Sequence, residues 1–272
     1  MAASRTGTHP MQFTSIPWQG SHASIEYQWL GPEQSDFPPV VFLHEGLGSI
    51  SMWRDFPQRF CEEHGFRGLV FSRIGYGQST PRPLDAPLKP DYLHRQAHEA
   101  LPALLAALNV EKPWIFGHSD GGSIALLYGA RFSAHTSGLV VLAPHIFVED
   151  ITIAGILEAR DAYRHGDLKP RLARHHRDVE SVFRGWNDAW LDPAFRNWNI
   201  EAELPKIACP VLAMQGEQDE YATLAQIHGI ERLAPHARAL AIADCGHSPH
   251  FSQPAAVSRA AASFIKDYLP RR

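Results

Sequence analysis

The segment Gly117-His118-Ser119-Asp120-Gly121 places a serine between two glycines, directly after one apolar run and directly before another. The preceding run, residues 113–116, is strand-like, and the following run, residues 123–130, is helix-like. A sharp strand-to-helix turn projects a serine hydroxyl away from the sheet, and glycine is needed beside it because a Cβ atom would clash with neighbouring backbone. The segment therefore predicts a strand, a tight turn with a candidate nucleophile, and a helix.

The rest of the chain alternates apolar runs with helix-like segments. Residues 24–30 alternate apolar and polar side chains, which predicts a half-exposed, antiparallel strand. Four leucines at helical spacing predict a helix over residues 92–108. Buried strands are predicted at residues 40–44, 68–72, 114–117, 139–143 and 209–215, a further strand at 237–243, and a closing helix at 255–268. This alternation predicts an α/β fold with a parallel sheet and helices on both faces.

The alternation stops between about Pro144 and Lys206, where the chain is rich in Arg, His, Asp and Trp. Helix-like pieces replace the buried strands there, and the strand pattern resumes at residue 209. We therefore predict an α/β core formed by residues 1–145 and 206–272, with a helical cap at residues 146–205 inserted between two strands of one sheet.

A serine hydroxyl is a weak nucleophile at neutral pH, so it needs a base within hydrogen-bond reach and a carboxylate that orients the base. In a parallel sheet the carboxyl ends of the strands lie along one edge, where such partners are expected. Asp219 follows the apolar run 211–215, and His247 lies in the loop after the last predicted strand. We predict Ser119 as the nucleophile, His247 as the base and Asp219 as the orienting acid.

Acyl-transfer chemistry also needs donors for the negative charge that develops on the carbonyl oxygen. The predicted strand at residues 40–44 leads into a glycine-rich turn that contains Gly46 and Gly48. The backbone N–H of Gly46 is one predicted donor. The N–H of Asp120 is the other, because it lies at the start of the helix after the turn, where the helix dipole favours an anion.

Several motifs extend the pattern beyond the serine turn. They are Leu43-His44-Glu45-Gly46 with Trp53-Arg54 downstream, Ser72-Arg73-Ile74-Gly75-Tyr76-Gly77-Gln78-Ser79, Gly117-His118-Ser119-Asp120-Gly121-Gly122, Gly216-Glu217-Gln218-Asp219 and Gly246-His247. From about Ser24 to Leu269 the chain resembles the capped serine-hydrolase branch of the α/β-hydrolase superfamily, which includes carboxylesterases, enol-lactonases and meta-cleavage C–C hydrolases. The resemblance implies a mostly parallel, eight-strand-type sheet flanked by helices, with a helical cap.

The resemblance also bears on individual residues. The family position favours Asp219 over Glu217 and Glu220, and the preceding glycine favours His247 over His250. The oxyanion position of the family falls on Gly46. The chain departs from the family pattern at Glu45, which replaces the usual glycine after the histidine, and its carboxylate either affects substrate charge preference or is turned away. A serine nucleophile in place of aspartate argues against dehalogenase and epoxide hydrolase chemistry.

Other residues near these motifs are candidates for the substrate pocket. They are His44, Glu45, His145, Trp186, Trp190 and Tyr221. His145 follows a predicted strand, and a histidine satisfied within its loop is the alternative. The tryptophans of the cap form cap core, with one of them facing the substrate.

The predicted chemistry is hydrolysis of a small to medium, partly hydrophobic carboxylic ester, lactone or thioester through an acyl-enzyme. Three alternatives remain. The same triad serves C–C bond hydrolysis of ring-cleavage products and acyl transfer to an alcohol or thiol. A non-enzymatic binding protein on this fold would usually have lost a triad member.

Composition and charge exclude several classes of binding partner. The formal net charge is −4 and there is no Lys/Arg block, which argues against nucleic acid. No apolar run approaches about 18 residues, so no membrane span is expected, and the first ten residues lack the apolar core of a secretory signal. His175-His176 lacks a third ligand at metal spacing. We expect a cytoplasmic protein that acts on a small molecule without metal or cofactor, with the oligomeric state left open.

Overall fold

The computed structural model describes residues 10–268. Residues 1–9 and 269–272 of the predicted core, including Leu269, lie outside the described residues. Eight strands form one sheet. They are β1 (Gln12–Trp18), β2 (Ser21–Leu30), β3 (Val40–Leu43), β4 (Gly68–Phe71), β5 (Trp114–His118), β6 (Gly138–Leu142), β7 (Val211–Gly216) and β8 (Ala237–Ile242).

The strand order in the sheet is β1-β2-β4-β3-β5-β6-β7-β8. Strands β1 and β2 pair antiparallel, as do β2 and β4, and all other neighbours pair parallel. The prediction of a mostly parallel, eight-strand sheet is therefore confirmed. One edge of the sheet carries the carboxyl ends of β3, β5, β7 and β8. The predicted triad residues and Gly46 lie at this edge, because each of them follows one of these strands in the chain.

Sequence reasoning missed β1, an edge strand that forms a hairpin with β2 through Gln19 and Gly20. Only Ile16 of this strand is buried, so its apolar alternation is weak. It also contains Pro17, which an edge strand tolerates because one side of the strand needs no ladder hydrogen bond.

Helices cover both faces of the sheet. They are α1 (Phe56–His64), α2 (Tyr92–Arg95), α3 (Leu101–Ala107), α4 (Asp120–Phe132), α5 (Asp150–His165), α6 (Leu168–Leu172), α7 (Val179–Leu191), α8 (Ala225–Leu233), α9 (Pro249–Ser252) and α10 (Pro254–Asp267). The helix predicted over residues 92–108 is interrupted by a π-helical segment, Gln96–Ala100. Pro102 follows this segment and has no N–H to continue the regular α-helical hydrogen bonds, which accounts for the interruption.

The inner strands are buried on both faces, yet their side chains still alternate between two apolar layers. In β3, Val41 and Leu43 belong to one layer, whereas Val40 and Phe42 belong to the other. Between β6 and β7 the chain forms α5, α6 and α7, within the predicted cap; the division into core and cap remains a prediction. Among residues 10–268, no helix combines the length and apolar character needed to cross a bilayer.

Candidate active site

Ser119 lies between β5 and α4. Its φ of 52° is a backbone conformation that residues other than glycine rarely adopt. A Cβ atom on Gly117 would lie 2.3 Å from the carbonyl oxygen of Gly121. A Cβ atom on Gly121 would lie 2.1 Å from the carbonyl oxygen of Leu43. Both glycines are therefore required sterically, and the start of α4 packs directly against the end of β3.

Three side chains from different strand ends meet at this turn. The Oγ atom of Ser119 is 2.9 Å from Nε2 of His247, whose Nδ1 is 2.8 Å from Oδ1 and 3.0 Å from Oδ2 of Asp219. The side chain of Asp219 is fully buried and that of His247 is 11% exposed. With the proton on Nδ1 shared with the carboxylate, Nε2 is free to accept the hydroxyl proton.

The two ionisable members of this group alter each other's pKa. Burial lowers the pKa of His247, but the hydrogen bond and the charge of Asp219 outweigh burial, so the net pKa is raised. For Asp219 burial raises the pKa, and the hydrogen bond and charge of His247 outweigh it, so the net pKa is lowered. The arrangement therefore favours an ionised carboxylate beside a histidine that accepts protons more readily than usual.

The competing residues lie elsewhere. The ring of His250 lies 4.9 Å from Trp53 and 4.7 Å from the ring of His118, measured between centroids. Glu217 is exposed. Glu220 accepts a hydrogen bond from the backbone N–H of His247 at 3.0 Å, so its carboxylate contacts the loop rather than the ring.

The two predicted oxyanion donors lie beside the serine turn. Gly46 follows β3, and within residues 10–268 its N–H has no hydrogen-bond partner. Asp120 is the first residue of α4, so its N–H has no acceptor within the helix. The packing of Gly121 against the end of β3 brings these two backbone segments together.

Two tryptophans of α7 contact these donor residues. A Cβ atom on Gly46 would lie 2.1 Å from Nε1 of Trp186, so this indole covers the glycine closely. The Nε1–H of Trp190 donates to Oδ1 of Asp120 at 3.3 Å, and Trp190 is 1% exposed. Of the two rings, Trp186 is therefore the better placed to contact a substrate, and Trp190 is packed as core.

His145 and Tyr221 lie close to His247. The ring of Tyr221 is 4.7 Å from that of His247, and its backbone N–H donates to Asp219 at 2.8 Å. The buried ring of His145 is 6.0 Å from that of His247. Burial is the main cause that lowers the pKa of His145 to about 3, and the charge of His247 is the second. The ring of His145 is therefore neutral.

His44 and Glu45 adjoin the donor loop. The Nε2 atom of His44 accepts the backbone N–H of Arg73 at 3.0 Å, so Nδ1 carries the proton and donates to the carbonyl oxygen of Glu45 at 2.8 Å. Both ring nitrogens are thus engaged by backbone. The carboxylate of Glu45 lies 3.7 Å from Nδ1 of His118. Burial opposes ionisation of Glu45, but His118 outweighs it and lowers the pKa to about 2.

Sequence reasoning missed contacts that support the group. The ring of His118 is 2.8 Å from the carbonyl oxygen of His247 through Nε2, which holds the loop of the base against the serine turn. The hydroxyl of Tyr92 donates to Oδ2 of Asp120 at 2.8 Å. The sequence offered one signal for the contact made by His118, namely its position next to Ser119. Among residues 10–268 no group of three or more His, Cys, Asp or Glu is arranged to hold a metal ion.

A model described as the alpha/beta hydrolase family matches residues 40–260 of the chain. The human protein named Serine hydrolase BPHL is 26% identical over 211 residues, which cover 74% of this chain and 64% of that protein. A 2-succinyl-6-hydroxy-2,4-cyclohexadiene-1-carboxylate synthase from Salmonella typhimurium is 27% identical over 155 residues, covering 57% of this chain and 55% of the synthase. The chain therefore spans less than two thirds of the length of these relatives.

Solved structures share the fold. A thermophilic esterase from Thermogutta terrifontis superposes with a TM-score of 0.74 at 18% sequence identity, covering 94% of this chain and 99% of the esterase. At this identity the likeness concerns the fold alone.

Proposed function

The chain belongs to the α/β-hydrolase family, and on that premise we propose that it is a serine hydrolase that cleaves a carboxylic ester, lactone or thioester. The observation that supports this proposal most directly is the unbroken hydrogen-bonded series from Ser119 Oγ through His247 to Asp219, with distances of 2.9 and 2.8 Å. A nucleophile, its base and an orienting acid in contact are what acyl transfer to serine requires.

In the first half-reaction Nε2 of His247 takes the hydroxyl proton while Oγ of Ser119 bonds to the substrate carbonyl carbon. The electron pair of the C=O bond moves onto oxygen, where the N–H groups of Gly46 and Asp120 stabilise the charge. As the tetrahedral intermediate collapses, His247 protonates the leaving oxygen or sulfur, and the acyl group remains on Ser119. Water, deprotonated by the same base, then releases the acid and restores the serine.

The pocket residues indicate the substrate class. Rings of Trp186 and Tyr221 lie beside the donor loop and the base, so they would line the acyl or leaving group with apolar surface. We propose a small to medium, partly hydrophobic substrate, admitted between the core and a cap formed by residues 146–205. A small molecule, rather than nucleic acid, is the proposed partner.

Two other reactions use the same residues, and one experiment separates all three. The purified chain is assayed with a p-nitrophenyl ester chain-length series, with a vinylogous 1,5-diketone, and with an ester in the presence of an added alcohol or thiol acceptor. Ester hydrolysis with water as the sole acceptor supports our proposal. Cleavage of the diketone alone would assign C–C hydrolysis, and preferential formation of the transfer product would assign an acyltransferase.

The pH dependence tests the histidine base. Since His247 must be neutral to take the serine proton, kcat/KM should rise with pH and reach a plateau above the pKa of this histidine. Because Asp219 raises that pKa, the inflexion should lie above the unperturbed value of 6.5. The measurement is kcat/KM of an activated ester from pH 5 to 9. A flat profile with chemistry limiting the rate would contradict a histidine base.

The two tryptophans of α7 should respond differently to replacement. Trp186→Ala removes the ring that covers Gly46, so it should shift the preferred ester chain length in addition to lowering the melting temperature, because this ring is itself only 7% exposed. Trp190→Ala truncates a fully packed side chain and should cost about 3–5 kcal/mol of unfolding free energy. Thermal melts beside the ester series measure both effects. Normal melting and an unchanged substrate profile in both variants would show that α7 does not gate the site.

A further inference from the structure

The carbonyl oxygen of Glu45 accepts three hydrogen bonds. His44 donates through Nδ1–H at 2.8 Å, Arg73 through Nη2 at 2.8 Å and the backbone N–H of Gly48 at 3.1 Å. A carbonyl oxygen has two lone pairs, so three donors, one of them charged, hold this group unusually firmly.

This carbonyl shares a peptide unit with the first proposed oxyanion donor. The C=O of Glu45 and the N–H of Gly46 lie in one plane and point in opposite directions, because the peptide bond is trans. Fixing the oxygen therefore fixes the direction of the N–H. A cationic donor on the oxygen also draws charge along the amide, which makes the N–H a stronger donor.

Arg73 belongs to a motif to which the triad assigns no role, and it is 1% exposed. Its backbone N–H sets the tautomer of His44 and would do so in any variant but proline, whereas its guanidinium supplies the charged donor to the Glu45 carbonyl. Its Nη2 also lies 3.8 Å from Oδ2 of Asp120, the residue that carries the second proposed donor. One buried cation thus contacts both donor-bearing segments.

A purely structural ion pair is the alternative. A role in stability alone predicts that Arg73 variants lose stability without a selective loss of binding to the developing negative charge. The face of the Arg73 guanidinium lies over the ring of Tyr76, 4.5 Å from the centroid, while Nη2 points toward the Glu45 carbonyl oxygen and Asp120.

We propose that Arg73 is a positioning residue for the oxyanion site, where it holds and polarises the Glu45–Gly46 peptide and fixes it relative to the start of α4. This inference rests on the proposed serine-hydrolase function. It assigns Arg73 no contact with substrate, because its effect passes through the backbone N–H groups that bind the developing negative charge.

The test compares Arg73→Met and Arg73→Lys with the parent chain. Loss of a single oxyanion donor costs roughly 10²–10³-fold in kcat, so weakening one through Arg73→Met should lower kcat by about 10–100-fold while KM changes less than about threefold. Lysine is a point charge that cannot serve both partners, so Arg73→Lys should fall between the parent and Arg73→Met. The ester is p-nitrophenyl acetate.

A pair of inhibitors reports on the oxyanion itself. A trifluoromethyl ketone forms a tetrahedral adduct with a charged oxygen, whereas the matched alcohol does not. The inhibition constant of the ketone should rise in parallel with the loss in kcat, and that of the alcohol should stay unchanged. Arg95→Met is the control, since Arg95 pairs with Glu99 on the helix surface at 3.1 Å, and it should keep kcat and both inhibition constants.

Three outcomes overturn the inference. One is an Arg73 variant that folds and keeps kcat and ketone affinity within about twofold of the parent. The others are equal loss of ketone and alcohol binding and an Arg73→Lys chain that does not fold, since either result indicates a general structural role. Ser119→Ala, assayed in parallel, separates the two levels: activity retained in that variant refutes the proposed function, whereas its loss beside an unaffected Arg73→Met refutes only the role of Arg73.

Discussion

Ser119→Ala should lose about 10⁴-fold or more of kcat, because nucleophile and base act as a unit and removal of one leaves the other with no reaction to assist. The hydroxyl in question is the only atom of the chain proposed to bond to substrate, and it lies 2.9 Å from Nε2 of His247. The measurement pairs ester turnover with labelling by a fluorophosphonate, which should add one equivalent to the parent chain and none to the variant.

The control for this prediction lies one helical turn away. Ser123 is also buried, but its hydroxyl donates to the carbonyl oxygen of His145 at 2.7 Å rather than contacting His247. Fragment masses must therefore place the phosphonate on Ser119, and Ser123→Ala should still be labelled. An adduct elsewhere, or normal turnover by Ser119→Ala, would refute the assignment of the nucleophile.

Strands that are buried on both faces were predictable because they need continuous apolar residues and allow no polar face. The strand β5 has this character, since all of its residues are buried. The glycines of the turn at Ser119 were predictable for a steric reason, because a Cβ atom at either position would clash with neighbouring backbone. The edge strand β1 lacked the signal because it buries one residue, Ile16. The break before Pro102 has a visible cause in the sequence, because a proline inside a helical pattern removes an N–H donor.

Part of the candidate site was predictable for a similar reason. Asp219 and His247 follow strand ends, and the shared edge of a parallel sheet makes their meeting with Ser119 a topological expectation. The partners of Arg73 were not predictable, because they depend on how the loop after β3 and the start of α4 pack together. A buried arginine and an exposed one have the same sequence signature until this packing is known.

Asp219→Asn should lower kcat by about 10⁴-fold with little change in KM, because the carboxylate controls which nitrogen of the base carries the proton. An amide can donate to Nδ1 of His247, which places the imidazole proton on Nε2 and leaves no lone pair to accept from Ser119. The comparison variants are Glu217→Gln and Glu220→Gln. Glu217 is exposed, and Glu220 accepts a hydrogen bond from the backbone N–H of His247 rather than from its ring, so both variants should keep most of the activity.

The same substitution makes a second, independent prediction through the pKa of His247. Hydrogen bonding and charge from Asp219 raise that pKa against the opposing effect of burial. Without the Asp219 carboxylate, the lowering effect of burial on the pKa of His247 is no longer offset by this charge, so this pKa should fall. The inflexion of kcat/KM should therefore move to lower pH in Asp219→Asn. Residual activity of the variant, followed from pH 5 to 9, measures the shift. A near-normal rate in Asp219→Asn beside an inactive Glu220→Gln would mean that Glu220, rather than Asp219, orients the base.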